Sequence, residues 1–175
     1  MSENLFHGSI LIKLKGSQKK FSWSHEFSPE ELRFHQTLIP VFLKNVNIPE
    51  HERTFLTKDV RKLLLQVRNI KPMNYASTIQ EIKTFVADNS DKEIIFEAHG
   101  IGVYILSWAL KSIRGQFQFN LYEFPFALLD RPFQKRLLVN SKAKFFYSKE
   151  TPFASIKTLL GPQFRWRKGG KSLVA

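Results

Sequence analysis

The chain contains no cysteine, which excludes a disulfide framework, a thiolate metal site and a cysteine nucleophile together. It also has no apolar run that approaches the roughly 20 residues of a membrane helix. Its first residues, Met1 to Asn4, lack the basic start and apolar core of a signal peptide. We therefore expect a soluble protein of the cytoplasm.

Acidic residues are scarce, with 15 Asp and Glu against 27 Lys and Arg, and the formal net charge is +12. This excess favours an anionic partner, but an ordinary basic composition gives the same value without any partner, and both interpretations stay open. Gly and Pro number eight each and no repeat is visible, which argues against a low-complexity chain. With 43% hydrophobic residues, the 175 residues predict a single domain over 1–175.

Hydrophobic alternation predicts an antiparallel hairpin at the start of the chain, formed by residues 8–16 and 20–27 around a turn at 16–18. Short apolar runs and helical periodicities then follow each other. Strands are predicted at 37–43, 63–67, 93–98, 117–124, 143–147 and 164–167, and helices at 49–62, 77–88, 103–114 and 155–160. This order predicts an α/β fold, a mostly parallel sheet with helices on both faces and an antiparallel N-terminal hairpin.

A glycine turn between the strand at 93–98 and the next helix holds the most informative motif, Ala98-His99-Gly100-Ile101-Gly102. It resembles the nucleophile elbow of α/β-hydrolases, Gly-x-Ser-x-Gly, in which a strained turn presents the serine above the sheet. The small flanking residues are kept as Ala98 and Gly102. Gly100 stands at the serine position, where glycine suits the strained backbone but has no oxygen for attack.

The resemblance extends over nearly the whole chain. The hairpin is similar to the family's first two strands, residues 37–43 to its third, 62–68 to its fourth, and 77–88 to the helix before the elbow. By this resemblance Thr151 stands at the acid position and Lys171 at the base position. Lys44 and Asn45 replace the usual oxyanion-loop residues. Residues 126–143 are too few for a lid, so the resemblance implies a lidless α/β-hydrolase-like fold with a degenerate triad.

Other polar residues near the strand ends are candidates for a ligand site: Lys44, Asn45, Glu123 and Asp130. Gly100 and Gly102 could form an anion-binding turn at a helix N-terminus. His99 is interpreted as a structural histidine below the turn rather than as a catalyst. The five histidines show no paired helical spacing, so we expect no metal and no cofactor.

These observations favour a catalytically degenerate hydrolase-like protein that binds a small molecule or a protein partner. One alternative is an active hydrolase or esterase that uses non-standard groups such as His99, Glu123 or Asp130. The other is a basic nucleic-acid-binding protein, in which Trp23, Phe164 and Trp166 stack on bases. Its cations would come from three clusters: Lys13, Lys15, Lys19 and Lys20; Lys58, Arg61, Lys62, Arg68 and Lys71; and Arg165, Arg167, Lys168 and Lys171.

Overall fold

Six strands form one sheet in the computed structural model, which describes residues 7–26, 48–58, 60–61, 72–151 and 153–167. The strands are β1 (His7–Leu14), β2 (Lys20–Glu26), β3 (Ile94–His99), β4 (Phe117–Tyr122), β5 (Ala143–Tyr147) and β6 (Arg165–Trp166). Their order across the sheet is β2-β1-β3-β4-β5-β6. β1 is antiparallel to both of its neighbours, and β3 to β6 are parallel to one another. The predicted mixed, mostly parallel α/β sheet is confirmed.

The predicted N-terminal hairpin is present. Side chains of β1 alternate between the core and the opposite face, and Ile10 and Ile12 are fully buried opposite Trp23 and Phe21 of β2. A one-residue slip would turn these side chains to the opposite face, so burial determines the register. Gly16 lies in the turn with φ +77°, a conformation that glycine adopts without a steric penalty.

Within the described residues, four α-helices lie between the strands: α1 (Glu50–Arg53), α2 (Ala76–Asp88), α3 (Ile101–Ala109) and α4 (Arg131–Leu138). Short 3₁₀ helices cover Pro72–Tyr75, Phe126–Leu128 and Lys157–Leu159. The helix predicted at 49–62 is interrupted after Arg53. A separate turn begins at Thr57, whose side-chain hydroxyl accepts a hydrogen bond from the Val60 backbone N–H. The helix predicted at 155–160 is only the last of the 3₁₀ helices.

Helices α2 and α4 pack on the same face of the sheet. Phe85 of α2 contacts Phe21, and Phe133 of α4 contacts Phe119. The strand register places Phe21 and Phe119 on one face together with Phe96. Helix α3 contacts α2 and β1, so it belongs to this layer. A helical layer on the opposite face stays a prediction.

The buried apolar side chains of the described elements form one cluster between this helical layer and the sheet. Among the described residues, no helix has the length and apolar character required to cross a membrane. The strands predicted at 37–43 and 63–67 lie outside the described residues, as do Lys44, Asn45 and Lys171.

Candidate functional site

The turn at Gly100 joins β3 directly to α3, since the strand ends at His99 and the helix begins at Ile101. Gly100 has φ 57° and ψ −130°, a backbone conformation that residues other than glycine rarely adopt. Its N–H donates to the Tyr122 carbonyl at 2.8 Å, and its carbonyl accepts from Val103 N at 3.0 Å. The tight strand-to-helix bend expected for residues 98–102 is therefore present.

Gly102 lets the first turn of α3 approach the backbone of β1. A Cβ atom at this position would overlap the Ser9 carbonyl oxygen and lie 2.8 Å from the Ser9 carbonyl carbon. Real Cβ atoms do not come this close to backbone atoms, so only glycine fits without a shift of the helix. The two glycines thus have separate roles, one in the bend and the other in the contact between helix and sheet.

His99 is buried at the carboxyl end of β3, with 6% of its surface exposed. Its Nδ1 atom finds no hydrogen-bond partner among the described residues. Burial lowers the pKa of His99 to about 4; Arg167 and His7 act in the same direction, while a hydrogen bond with the His7 backbone opposes them. The imidazole is therefore neutral near pH 7, with one N–H donor and one acceptor nitrogen, and Nδ1 is the ring nitrogen without a partner among the described residues.

Glu123 follows β4 and is the most buried acidic residue of the described chain, with 1% of its surface exposed. Its φ of 58° turns the backbone out of the ladder, which explains why the strand ends at Tyr122 rather than at the predicted position 124. Oε1 accepts from Ser148 N at 2.5 Å, and Oε2 accepts from the Thr151 hydroxyl. Glu123 therefore fixes the loop that follows β5.

Arg167, directly after β6, joins Glu123 to the surroundings of His99. Its Nη1 lies 3.4 Å from Glu123 Oε1, and both side chains are buried. Its guanidinium lies 5.3 Å from the centre of the Tyr122 ring, which in turn stacks on Phe146. Six residues thus meet at one edge of the sheet, and we name them the carboxyl-edge cluster: His99, Tyr122, Glu123, Ser148, Thr151 and Arg167.

The carboxyl ends of parallel strands are where ligands bind in open α/β sheets. The structure brings three of the sequence-derived candidates, His99, Glu123 and Thr151, into the carboxyl-edge cluster. Asp130 has another role, because its Oδ1 accepts from Phe133 N at 3.0 Å and caps α4. The candidates Lys44, Asn45 and Lys171 lie outside the described residues.

Three members of the cluster, Tyr122, Ser148 and Arg167, were not predicted as ligand-site residues, although Arg167 was named as a candidate cation for nucleic acid. Tyr122 is the last residue of β4, and Ser148 and Arg167 each directly follow a parallel strand, β5 or β6. A polar residue at the end of each strand in a run of parallel strands is therefore the signal that would have found them.

The chemistry available to this cluster is limited. Among the residues that the structure describes, no three His, Asp or Glu side chains are grouped so that they could hold a metal ion.

Comparison with protein-family models, with curated proteins and with solved structures gives no match to this chain.

Proposed function

We propose that this chain is a non-hydrolytic ligand-binding protein on an α/β-hydrolase-like fold, with its ligand at the carboxyl ends of β3 and β4. The observation that carries the proposal is the turn at Gly100, which has the strained backbone of an elbow and no hydroxyl. Acyl transfer on this scaffold needs a nucleophile oxygen, a base and an acid that orients the base. The first of these is missing at the position where the backbone would present it.

The surroundings of Thr151 support the same proposal. Thr151, at the position that resembles the family's acid, donates its hydroxyl to Glu123. The nearby carboxylate of Glu123 is held by Ser148 N, Thr151 and Arg167. These contacts give the carboxylate a structural role in joining β4 to the loops after β5 and β6.

The ligand chemistry follows from two groups beside Gly100. Nδ1 of the neutral His99 ring is buried and has no partner among the described residues, and with Nδ1 as the acceptor nitrogen of the ring the site favours a ligand that carries a hydroxyl or an N–H group. The first N–H groups of a helix have no intrahelical acceptor and favour negative or carbonyl oxygens, and α3 begins directly after the turn. A small hydroxy acid satisfies both requirements.

Two measurements test the proposal. Purified protein is exposed to a fluorophosphonate probe and to p-nitrophenyl esters, and we expect neither labelling nor turnover. The ¹⁵N resonances of the histidine rings are then followed during titration with a panel of short hydroxy acids, of which lactate is the first. We expect His99 to shift, while the exposed His51, whose side chain is 80% exposed, serves as the internal control.

The outcomes separate the two parts of the proposal. Covalent labelling by the fluorophosphonate would show that a nucleophile is present and would refute the non-hydrolytic assignment. If no hydroxy acid moves the His99 resonances, or if His51 moves equally, the ligand site beside Gly100 is refuted.

A further inference from the structure

A cavity of about 760 Å³ opens at the opposite edge of the sheet, at the amino ends of β3, β4 and β5. Its walls come from the residues that precede these three strands and from helix α4. The chain thus has a concave surface on the side away from Gly100, at an edge where no candidate residue was predicted. The charged residues of its lining are Glu93, Arg114, Lys135, Arg136 and Lys142.

The lining of this amino-edge cavity is strongly positive, with four cations and one carboxylate. The carboxylate, Glu93, is already shared by Lys142 at 2.6 Å and by Lys15 at 3.2 Å. Within the described residues, no acidic side chain forms an ion pair with Arg114, Lys135 or Arg136. Three cations of the cavity therefore have no ion-pair partner among the described residues.

Arg136 shows how these cations are held in place. Its Nη1 donates to the Leu110 carbonyl at 2.6 Å, just after the end of α3, and its guanidinium lies 5.2 Å from the centre of the Phe117 ring. These contacts fix the guanidinium at the cavity wall. Arg114 lines the same cavity; burial lowers the pKa of Arg136, and the charge of Arg114 lowers it further. Two neighbouring cations repel each other, and a bound anion would relieve this repulsion.

We propose that the amino-edge cavity binds a ligand that carries two or more linked phosphate groups. Guanidinium groups bind phosphate oxygens through paired, charge-assisted hydrogen bonds, and a lysine adds a point charge. Linked phosphates concentrate several negative charges in a small volume, which matches three cations around one cavity. The site shares no residue with the carboxyl-edge cluster, so it does not depend on the function proposed for that edge.

The experiment is isothermal titration of the full chain with inorganic pyrophosphate near neutral pH, at low and at high ionic strength. The test variant is Arg114→Gln combined with Lys135→Gln, because both side chains are exposed and their loss should leave the fold intact. Arg136→Gln is less suitable since this residue also bonds to the end of α3. The matched control is Arg131→Gln, because Arg131 is an exposed arginine at the start of α4 that does not line the cavity.

We expect pyrophosphate to bind with a dissociation constant below about 1 mM. The double variant should weaken binding about tenfold or more through the loss of charge-assisted hydrogen bonds, and salt should weaken it as well. Arg131→Gln should change it less than about twofold, as expected for a screened surface charge. Citrate, which carries several carboxylates, should bind more weakly than pyrophosphate.

Four results would overturn the proposal. They are an affinity for pyrophosphate too weak to measure, an unchanged affinity in the double variant, an equal loss in Arg131→Gln, and equal binding of citrate. The last result would show attraction to negative charge in general rather than recognition of phosphate.

Discussion

Replacement of Gly102 by alanine tests the contact between the first turn of α3 and β1, on which the geometry of the Gly100 bend depends. The added Cβ would overlap the Ser9 carbonyl oxygen and lie 3.0 Å from the Ser9 nitrogen. Both atoms belong to the backbone of β1, a strand paired on both sides, so they cannot rotate away. Relief requires the helix to move away from the sheet.

Two opposing terms decide the sign of this change. Alanine is favoured over glycine inside a helix by about 0.5–1 kcal/mol, so propensity alone predicts a more stable protein. Overpacking usually costs about 1–3 kcal/mol, and a clash with fixed backbone belongs at the upper end of that range. The net expectation is a loss of about 2 kcal/mol in the free energy of unfolding.

Urea unfolding followed by circular dichroism measures the difference. The control is Gly16→Ala, where the new Cβ meets no atom within 4 Å and only the positive φ of +77° is unfavourable. This control should lose about 1–2 kcal/mol, the usual penalty of a left-handed residue. A Gly102→Ala protein as stable as the wild type, or more stable, would refute the close approach of α3 to β1.

Three further changes have calculable consequences. Gly100→Ser places a side chain at φ 57°, so it should lose about 1–3 kcal/mol of stability in urea and still hydrolyse no p-nitrophenyl ester; measurable turnover would contradict the proposal that the chain is non-hydrolytic because it also lacks a base and an acid. Glu123→Ala removes the buried carboxylate that pairs with Arg167 and accepts from Ser148 N, and should lose about 3–5 kcal/mol, whereas Glu97→Ala, which breaks the exposed pair with Lys13, should lose less than about 1 kcal/mol. Comparable losses in both variants would contradict the buried pair. The pKa of His99 is depressed from 6.5 to about 4, so as the pH falls the unfolded chain takes up this proton before the folded protein does. The contribution of His99 to the free energy of unfolding is therefore complete above pH 6.5 and falls by up to about 3 kcal/mol as the pH drops to about 4. Urea midpoints measured against pH should show this decline in the wild type and a smaller one in His99→Phe, and identical profiles would contradict it.

The sequence predicted those elements of the fold that are determined by residues close together in the chain. The hairpin follows from alternation in residues 8–16 and 20–27, and the strand-turn-helix around Gly100 follows from an apolar run, a glycine and a helical periodicity. Helix α4 was missed although its signals are local. Asp130 is an N-cap residue and Pro132 lies in the first turn, both typical of a helix start. Asp130 was interpreted as a ligand-site residue, whereas in the structure it is the N-cap of α4.

The contacts of the candidate site could not be derived in the same way, because they join residues far apart in the chain. Glu123 meets Thr151 and Arg167, which are 28 and 44 positions away, and its residue type does not predict the positive φ that it adopts. The cations of the amino-edge cavity were missed for a related reason. Lys135, Arg136 and Lys142 come from the basic stretch 131–144, but Arg114 comes from the segment before β4, and only the packing of α4 beside that segment brings the four cations to one cavity.

The two edges of the sheet differ in how their charges are balanced, and this difference argues for different roles. At the carboxyl edge, Glu123 and Arg167 neutralise each other below the surface, and the neutral Nδ1 of His99 is the polar atom without a partner among the described residues. That environment favours a ligand that places a hydrogen-bonding group next to a helix N-terminus, as the proposed hydroxy acid does. At the amino edge, Arg114, Lys135 and Arg136 surround an open cavity without acidic partners in the described chain. Attraction between several cations and a polyphosphate weakens steeply with salt, so binding of pyrophosphate at the amino edge should depend on ionic strength more strongly than binding of a hydroxy acid at the carboxyl edge.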